Sequence, residues 1–196
     1  MADTKVTCRV VYLEQTERPV SPGTLPPGVE LVRVPDMAVP IYRRIYREVG
    51  EPWLWWERLP LGDMELEALL RADTTEIYLL TVDETEAGFA EVDRRNPEVP
   101  RVRYLGLKPS YIGRGLGGAF FDAVLARMWD GAAVRAELDT CEFDHPGALD
   151  FYQRHGFRIV RTDTETWDDP RLVGLMPLSA APHKPPRTAR GRTPDQ

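Results

Sequence analysis

Apolar and polar residues alternate along VTCRVVYLEQ, as on a strand with one covered face, and the period returns in VELVRV after the four-proline loop TERPVSPGTLPPG. In PDMAVPIYRRIYREVG the period lengthens, and Ile41, Ile45 and Val49 fall four apart on one helical face, which Gly50 and Pro52 end. WLWWERLPL leads into a second helix, GDMELEALLRA, with Asp63 as its expected N-cap. EIYLLTVDE, EAGFAEVDRR and VRYLGLKP read as three strands of an antiparallel meander. A glycine-rich loop then opens a long helix with Leu116, Phe120, Val124 and Met128 at i+4 intervals. Strand VRAELDT follows, then a short helix PGALDFYQRH with Pro146 at its first position and Gly156 as its stop. FRIVRT and LVGLMPL are expected to close the sheet. The order predicts an α/β (α+β) fold on a mixed sheet, with one parallel crossover through the long helix.

Composition narrows the picture only modestly. The 42% hydrophobic and 29% charged residues are those of a globular protein. No apolar run is long enough to span a membrane, and the N-terminus lacks the basic and apolar regions of a signal peptide, so a cytoplasmic location is expected. Cys8 and Cys141 show no zinc or disulfide spacing, so no metal is implied. Net charge is −6; the last 17 residues hold one Lys, three Arg and one Asp, which leaves −9 on the rest. An acidic body argues against nucleic acid as partner. Three regions are expected: residues 1–28, a strand and loop packed on the domain; 29–178, the main folded domain; and 179–196, a disordered basic, proline-rich tail.

The glycine loop is the first chemical signal. Gly113, Gly115, Gly117 and Gly118 lie within six residues between a strand and a helix. Read literally, Gly113-x-Gly115-x-x-Gly118 is a dinucleotide fingerprint, with Glu137 and Asp139 downstream where a ribose-binding carboxylate belongs. Such a fold begins its loop directly after the strand and repeats the strand–helix unit. Here KPSYI intervenes, and one further unit follows, which disfavours a nicotinamide enzyme. The loop's amides and helix N-terminus still form a nest suited to a pyrophosphate, with Arg114 at its rim, unless the glycines serve only close helix–sheet packing.

Two blocks then carry a resemblance. YLGLKPSYIGRGLGGAFFDAVL resembles the acyl-CoA signature of the GNAT superfamily of N-acetyltransferases: Leu105, Leu107, Pro109, Gly115 and Gly117 fall in register, and Ile112 replaces the usual Gln or Arg. HPGALDFYQRHGFRIV is similar to the family's second block through Ala148, Tyr152, Gly156 and Phe157, with His145 in place of Asn. The resemblance implies a mostly antiparallel sheet, helices on both faces, and a splayed parallel strand pair that binds acetyl-CoA. Leu105, Gly106 and Leu107 would hold the pantetheine arm, and Ile112, Gly113, Arg114, Gly115, Leu116, Gly117 and Gly118 the pyrophosphate. His145 and Ala148 would flank the cofactor, and Tyr152 would protonate the leaving thiolate or, alternatively, pack beside Phe151. Family members often pair through C-terminal strands, so a homodimer is compatible.

Acyl transfer to an amine also needs a base and an acceptor pocket. Phe89, Glu91 and Asp93 share one strand face by period two. Mid-strand Glu91 is the first candidate base, unless that face is solvated; Glu57 and Asp139 follow. Trp53, Trp55 and Trp56 either cap the core or wall the pocket, where Trp53, Trp56, Glu57 and Arg58 would hold a flat or cationic acceptor. Cys141 reads as a small buried residue, not a nucleophile. The expected activity is direct acetyl transfer to a primary amine of a small molecule or protein. A non-catalytic acyl-CoA sensor of the same fold and an NAD-dependent oxidoreductase are the alternatives.

Overall fold

The computed structural model describes residues 4–19 and 23–186. Eleven helices and strands run in the order β1 (Lys5–Gln15), β2 (Val29–Arg33), α1 (Val39–Gly50), α2 (Asp63–Leu70), β3 (Thr75–Val82), β4 (Thr85–Asp93), β5 (Arg101–Leu107), α3 (Leu116–Met128), β6 (Ala136–Cys141), α4 (Ala148–Arg154) and β7 (Arg158–Asp168). The strands form one sheet in the order β2-β3-β4-β5-β6-β1-β7, antiparallel except for the β5–β6 pair. One parallel pair is not the repeated parallel order of a dinucleotide fold, which removes the structural basis for the nicotinamide reading.

Helices cover both faces. On one, Tyr42, Ile45, Tyr46 and Val49 of α1 bury against Ile77, Phe89 and Tyr104, with Leu66 and Leu70 of α2 alongside. Each such side chain contributes about 2 kcal/mol of burial. The helical period is as expected, but the tyrosines take the buried positions and Ile41 is 43% exposed. On the other face, Phe120, Val124 and Met128 of α3 pack on Leu13, Val92 and Leu138. Neither helical start matches its sequence signal. Gly62 is the N-cap of α2, while Asp63 accepts from Arg43; α4 begins at Ala148, two residues after Pro146.

The N-terminal strand is not an accessory. β1 lies between β6 and β7, pairing Val10 with Cys141 on one edge and with Asp163 on the other. β7 runs well past FRIVRT, to Asp168, because β1 supplies a full-length partner. LVGLMPL forms turns instead of a strand. Here buried Arg171 forks onto Asp169 and also donates to the Ala180 and Lys184 carbonyls, while the Ala181 amide bonds to the Glu51 carbonyl. These backbone contacts seat Ala180 and Ala181 in a third apolar cluster with Leu54, Phe143 and Met176. The expected tail is therefore held as far as Lys184, and 187–196 lies outside the described residues. Among the described residues, no helix is long and apolar enough to cross a membrane.

Candidate functional site

The β5–β6 pair is joined only at Arg101–Glu137 and Val102–Leu138. An extra residue in β5, Arg103, bulges the strand between its pairings of Tyr104 with Glu91 and Val102 with Val92. A bulge bends its strand and ends regular pairing, so the two strands splay beyond Leu138. β5 remains paired with β4 up to Leu107, which leaves the β6-facing backbone edge of residues 104–107 open to an added extended ligand.

A cleft of about 410 Å3 runs from this opening to the glycine loop. Leu105, Gly106, Leu107, Ile112, Gly113 and Gly115 line it, and so do Leu116, Gly117, His145, Ala148 and Tyr152. Two expected contacts fall outside: the Arg114 side chain lies over the Tyr111 ring, 4.8 Å from its centroid, and Gly118 does not reach the cleft wall. Arg154, in the last turn of α4, is the cation that lines the cleft instead; nothing in the sequence separated it from a solvated helix arginine.

The loop glycines are not there for packing. A Cβ at Gly113, Gly115, Gly117 or Gly118 would meet nothing within 4 Å. Gly106 is the opposite case, since a Cβ there would come within 2.6 Å of Val49. Gly113 and Gly115 have φ of +80° and +77°, a region that side-chain-bearing residues enter at a cost of about 1–2 kcal/mol. Gly115 caps α3 with no side-chain hydrogen bond, so the first-turn amides lack a side-chain cap, and the glycines around them leave open space where a Cβ would stand. Such a cradle fits a phosphate. At its other end His145 Nδ1 accepts from the Gly147 amide at 3.1 Å, which leaves Nε2 as the donor of the neutral ring.

A second cavity, of about 150 Å3, lies on the far side of the opening. Trp53, Trp55, Leu105, Asp144 and Tyr152 line both spaces, so the two meet there. Burial, then the charges of Asp144 and Asp139, push the Tyr152 hydroxyl well above its ordinary range, keeping it protonated. Asp144 is a site residue that the sequence reading missed. Its Oδ2 accepts from Thr140 Oγ1 and the Cys141 amide, both at 2.8 Å, whereas Oδ1 has only Trp55 Nε1 at 3.5 Å. Burial raises its pKa despite those donors. Cys141 also lines this cavity, but hydrogen bonding with the free thiol of Cys8, and then burial, push its own thiol far up, so it is no thiolate nucleophile.

Of the tryptophan segment, Trp53, Trp56 and Glu57 line the second cavity. Trp53 and Trp56 do not share a helical turn, because Leu54 breaks the chain with φ of +60°. Trp53 instead meets the His145 and His183 rings, and Trp56 stacks on Trp167. Glu57 accepts from Tyr104 at 2.6 Å, and Asp139 from Arg101 at 2.5 Å. Two expected residues are elsewhere. Glu91 lines neither space, and its face is covered by α1 rather than solvated. The carboxylate is 2% exposed, with Tyr42 donating to one oxygen at 2.5 Å and Arg58 to the other at 2.6 Å. Arg58 is committed to that pair and is absent from the cavity wall.

Residues 73–159 match a family model described as an acetyltransferase (GNAT) domain. No curated protein matches the sequence. Among solved structures, the chain is similar to a GCN5-related N-acetyltransferase from Sphaerobacter thermophilus, at 13% identity and a TM-score of 0.60, covering 87% of this chain and 52% of that one. It is also similar to a GCN5-related N-acetyltransferase from Kribbella flavida (18%, TM-score 0.56, 87% and 62% covered). A third likeness is to an aminoglycoside acetyltransferase from an uncultured soil metagenomic sample, crystallised with trehalose (14%, TM-score 0.53, 65% and 86% covered). The chain thus spans about half to two thirds of the first two. At these identities the likeness is one of fold, a GNAT fold.

Proposed function

We propose that this chain, whose residues 73–159 match the GNAT acetyltransferase domain model, moves an acetyl group from acetyl-CoA directly to a primary amine. The observation that carries this reading is the meeting of two cavities at Tyr152, Asp144 and Leu105, across the opening of the parallel strand pair. The cradle of loop amides suits the pyrophosphate, and the open β5 edge suits the pantetheine arm. The acceptor enters from the second cavity.

Asp144 takes the base role that the sequence reading gave to Glu91. Its loosely held Oδ1 accepts a proton from the acceptor ammonium, and the freed nitrogen attacks the thioester carbonyl. As the C–S bond breaks, Tyr152 donates its proton to the departing sulfur, and the proton lost by the new amide nitrogen restores the balance. A raised pKa suits both residues: it keeps Tyr152 an acid and makes Asp144 a better base.

The test is thermal stability with acetyl-CoA, CoA and NADH in parallel, followed by release of free thiol with amines. A ligand at about a hundred times its Kd stabilises by about 2.7 kcal/mol, or roughly 5–10 °C for a chain of this size. The expected result is a rise with acetyl-CoA and CoA and none with NADH. A rise with NADH alone overturns the reading.

A further inference from the structure

The second cavity has two chemically distinct ends. The end shared with the cofactor cleft holds Asp144 and Tyr152. The end outside that cleft holds Glu57, Asp139 and Glu165, with the stacked Trp56 and Trp167 rings 6.5 Å apart. Against four carboxylates the wall carries one cation, Arg103, which lies 3.2 Å from Glu57. Arg101 partners Asp139 from outside the wall. Glu165 receives only the Tyr12 hydroxyl, at 2.6 Å; among the described residues neither it nor Asp144 has an arginine or lysine within ion-pair distance. Negative charge is thus left over at both ends, and at the far end it stands beside aromatic faces that attract cations.

Size narrows the choice. A cavity of about 150 Å3 is the volume that holds a benzene-sized guest, roughly six non-hydrogen atoms. Resting on the acetyl-transfer reading, we infer that the acceptor is a short organic dication, whose reacting nitrogen meets Asp144 and Tyr152 while a second ammonium sits among Glu165, Asp139 and the Trp56–Trp167 stack. A monocation would leave Glu165 without a cationic partner, and an acceptor with an acidic far end would be repelled.

The test uses the full chain with acetyl-CoA and three amines that differ at the far end: 1,4-diaminobutane, butylamine and 4-aminobutanoate. Release of CoA thiol is measured at low ionic strength. The expected kcat/KM falls in that order, with at least about a tenfold step from diamine to monoamine, or 1.4 kcal/mol. Raising the salt narrows the step, and Glu165→Gln brings the diamine-to-monoamine ratio toward one. Equal or faster turnover of butylamine or 4-aminobutanoate overturns the inference, as does a ratio unmoved by Glu165→Gln. If none of the three amines releases thiol while acetyl-CoA still raises the melting temperature, the inference fails and the cofactor reading stands. If acetyl-CoA gives no rise either, both fall together.

Discussion

The two halves of the site are made from different materials. One wall of the proposed cofactor cleft is consecutive backbone: the open edge of β5 and the amides of one loop, with glycines that leave that backbone bare. Side chains from distant stretches, among them 53–57, 102–105, 138–144, Tyr152 and 165–167, wall the proposed acceptor cavity and meet only when the sheet is complete. The matched family domain, residues 73–159, spans the cofactor loop and stops short of both Trp53–Glu57 and Glu165–Trp167. A backbone device works with many side chains around it and leaves a portable pattern. A side-chain device has no pattern except its own contacts, so it is where specificity is free to vary.

The most severe break falls on the backbone half. Gly115→Glu sets a carboxylate at the anion cradle and should abolish the thermal rise with CoA. The open space at Gly115 and a cost of about 1–2 kcal/mol for its φ leave the fold in place. A retained rise would remove the loop from cofactor binding. Next comes Glu91→Ala, which strands Arg58 as a buried charge and should cost about 3–5 kcal/mol in chemical denaturation, while kcat survives wherever the variant is folded. Loss of kcat without loss of stability would return Glu91 to the mechanism.

Tyr152→Phe should lower kcat by about 10²-fold with little change in acetyl-CoA affinity, the usual size of one proton-transfer contribution. Asp144→Asn acts on the pH profile. Because burial raises the Asp144 pKa, the basic form is lost as pH falls through a value above the ordinary aspartate range. Wild type should therefore show an acid limb displaced upward, and the asparagine variant should lack it; an unchanged limb assigns the base elsewhere. Lys108→Met is the mildest. Lys108 bridges Glu48 and Glu86 just before the loop. Burial opposes ionisation of both carboxylates, but Lys108 and Arg44 outweigh it and hold their pKa values low. This partly exposed cluster should contribute about 1 kcal/mol above the ordinary glutamate range, fading as pH falls through the lowered values, and the variant's denaturation midpoint should lose part of that pH dependence, Arg44 keeping the rest.

Local pattern carried the sequence reading far: the meander and α3 with its i+4 stripe follow from period and glycine placement, while the splayed pair was implied by the family resemblance. It stopped where a partner from elsewhere decides. Period two assigned Glu91 its strand face, yet not that Tyr42 and Arg58 would bury it there. Ile41 outranked Tyr42 on hydrophobicity alone, although the tyrosine hydroxyl has a carboxylate waiting. Asp144 looked like one more acid in DTCEFDHP, because the donors that fix it come from the end of β6 and from Trp55. LVGLMPL has a strand's composition, but its neighbours are spent on the Asp169–Arg171 fork, which folds the chain back toward Glu51.

The seat of β1 between β6 and β7 also sets an order of events in time. Val10 belongs to the first strand of the chain, yet its two neighbours are Cys141 and Asp163, so it has no ladder to join until nearly the whole domain has been synthesised. Until then an apolar, β-branched segment waits with both edges unsatisfied. Closure across so long a loop is slow, and partly folded chains are at their most adhesive during the wait. The strand that completes the sheet is thus also the one that exposes the nascent chain to mispairing longest.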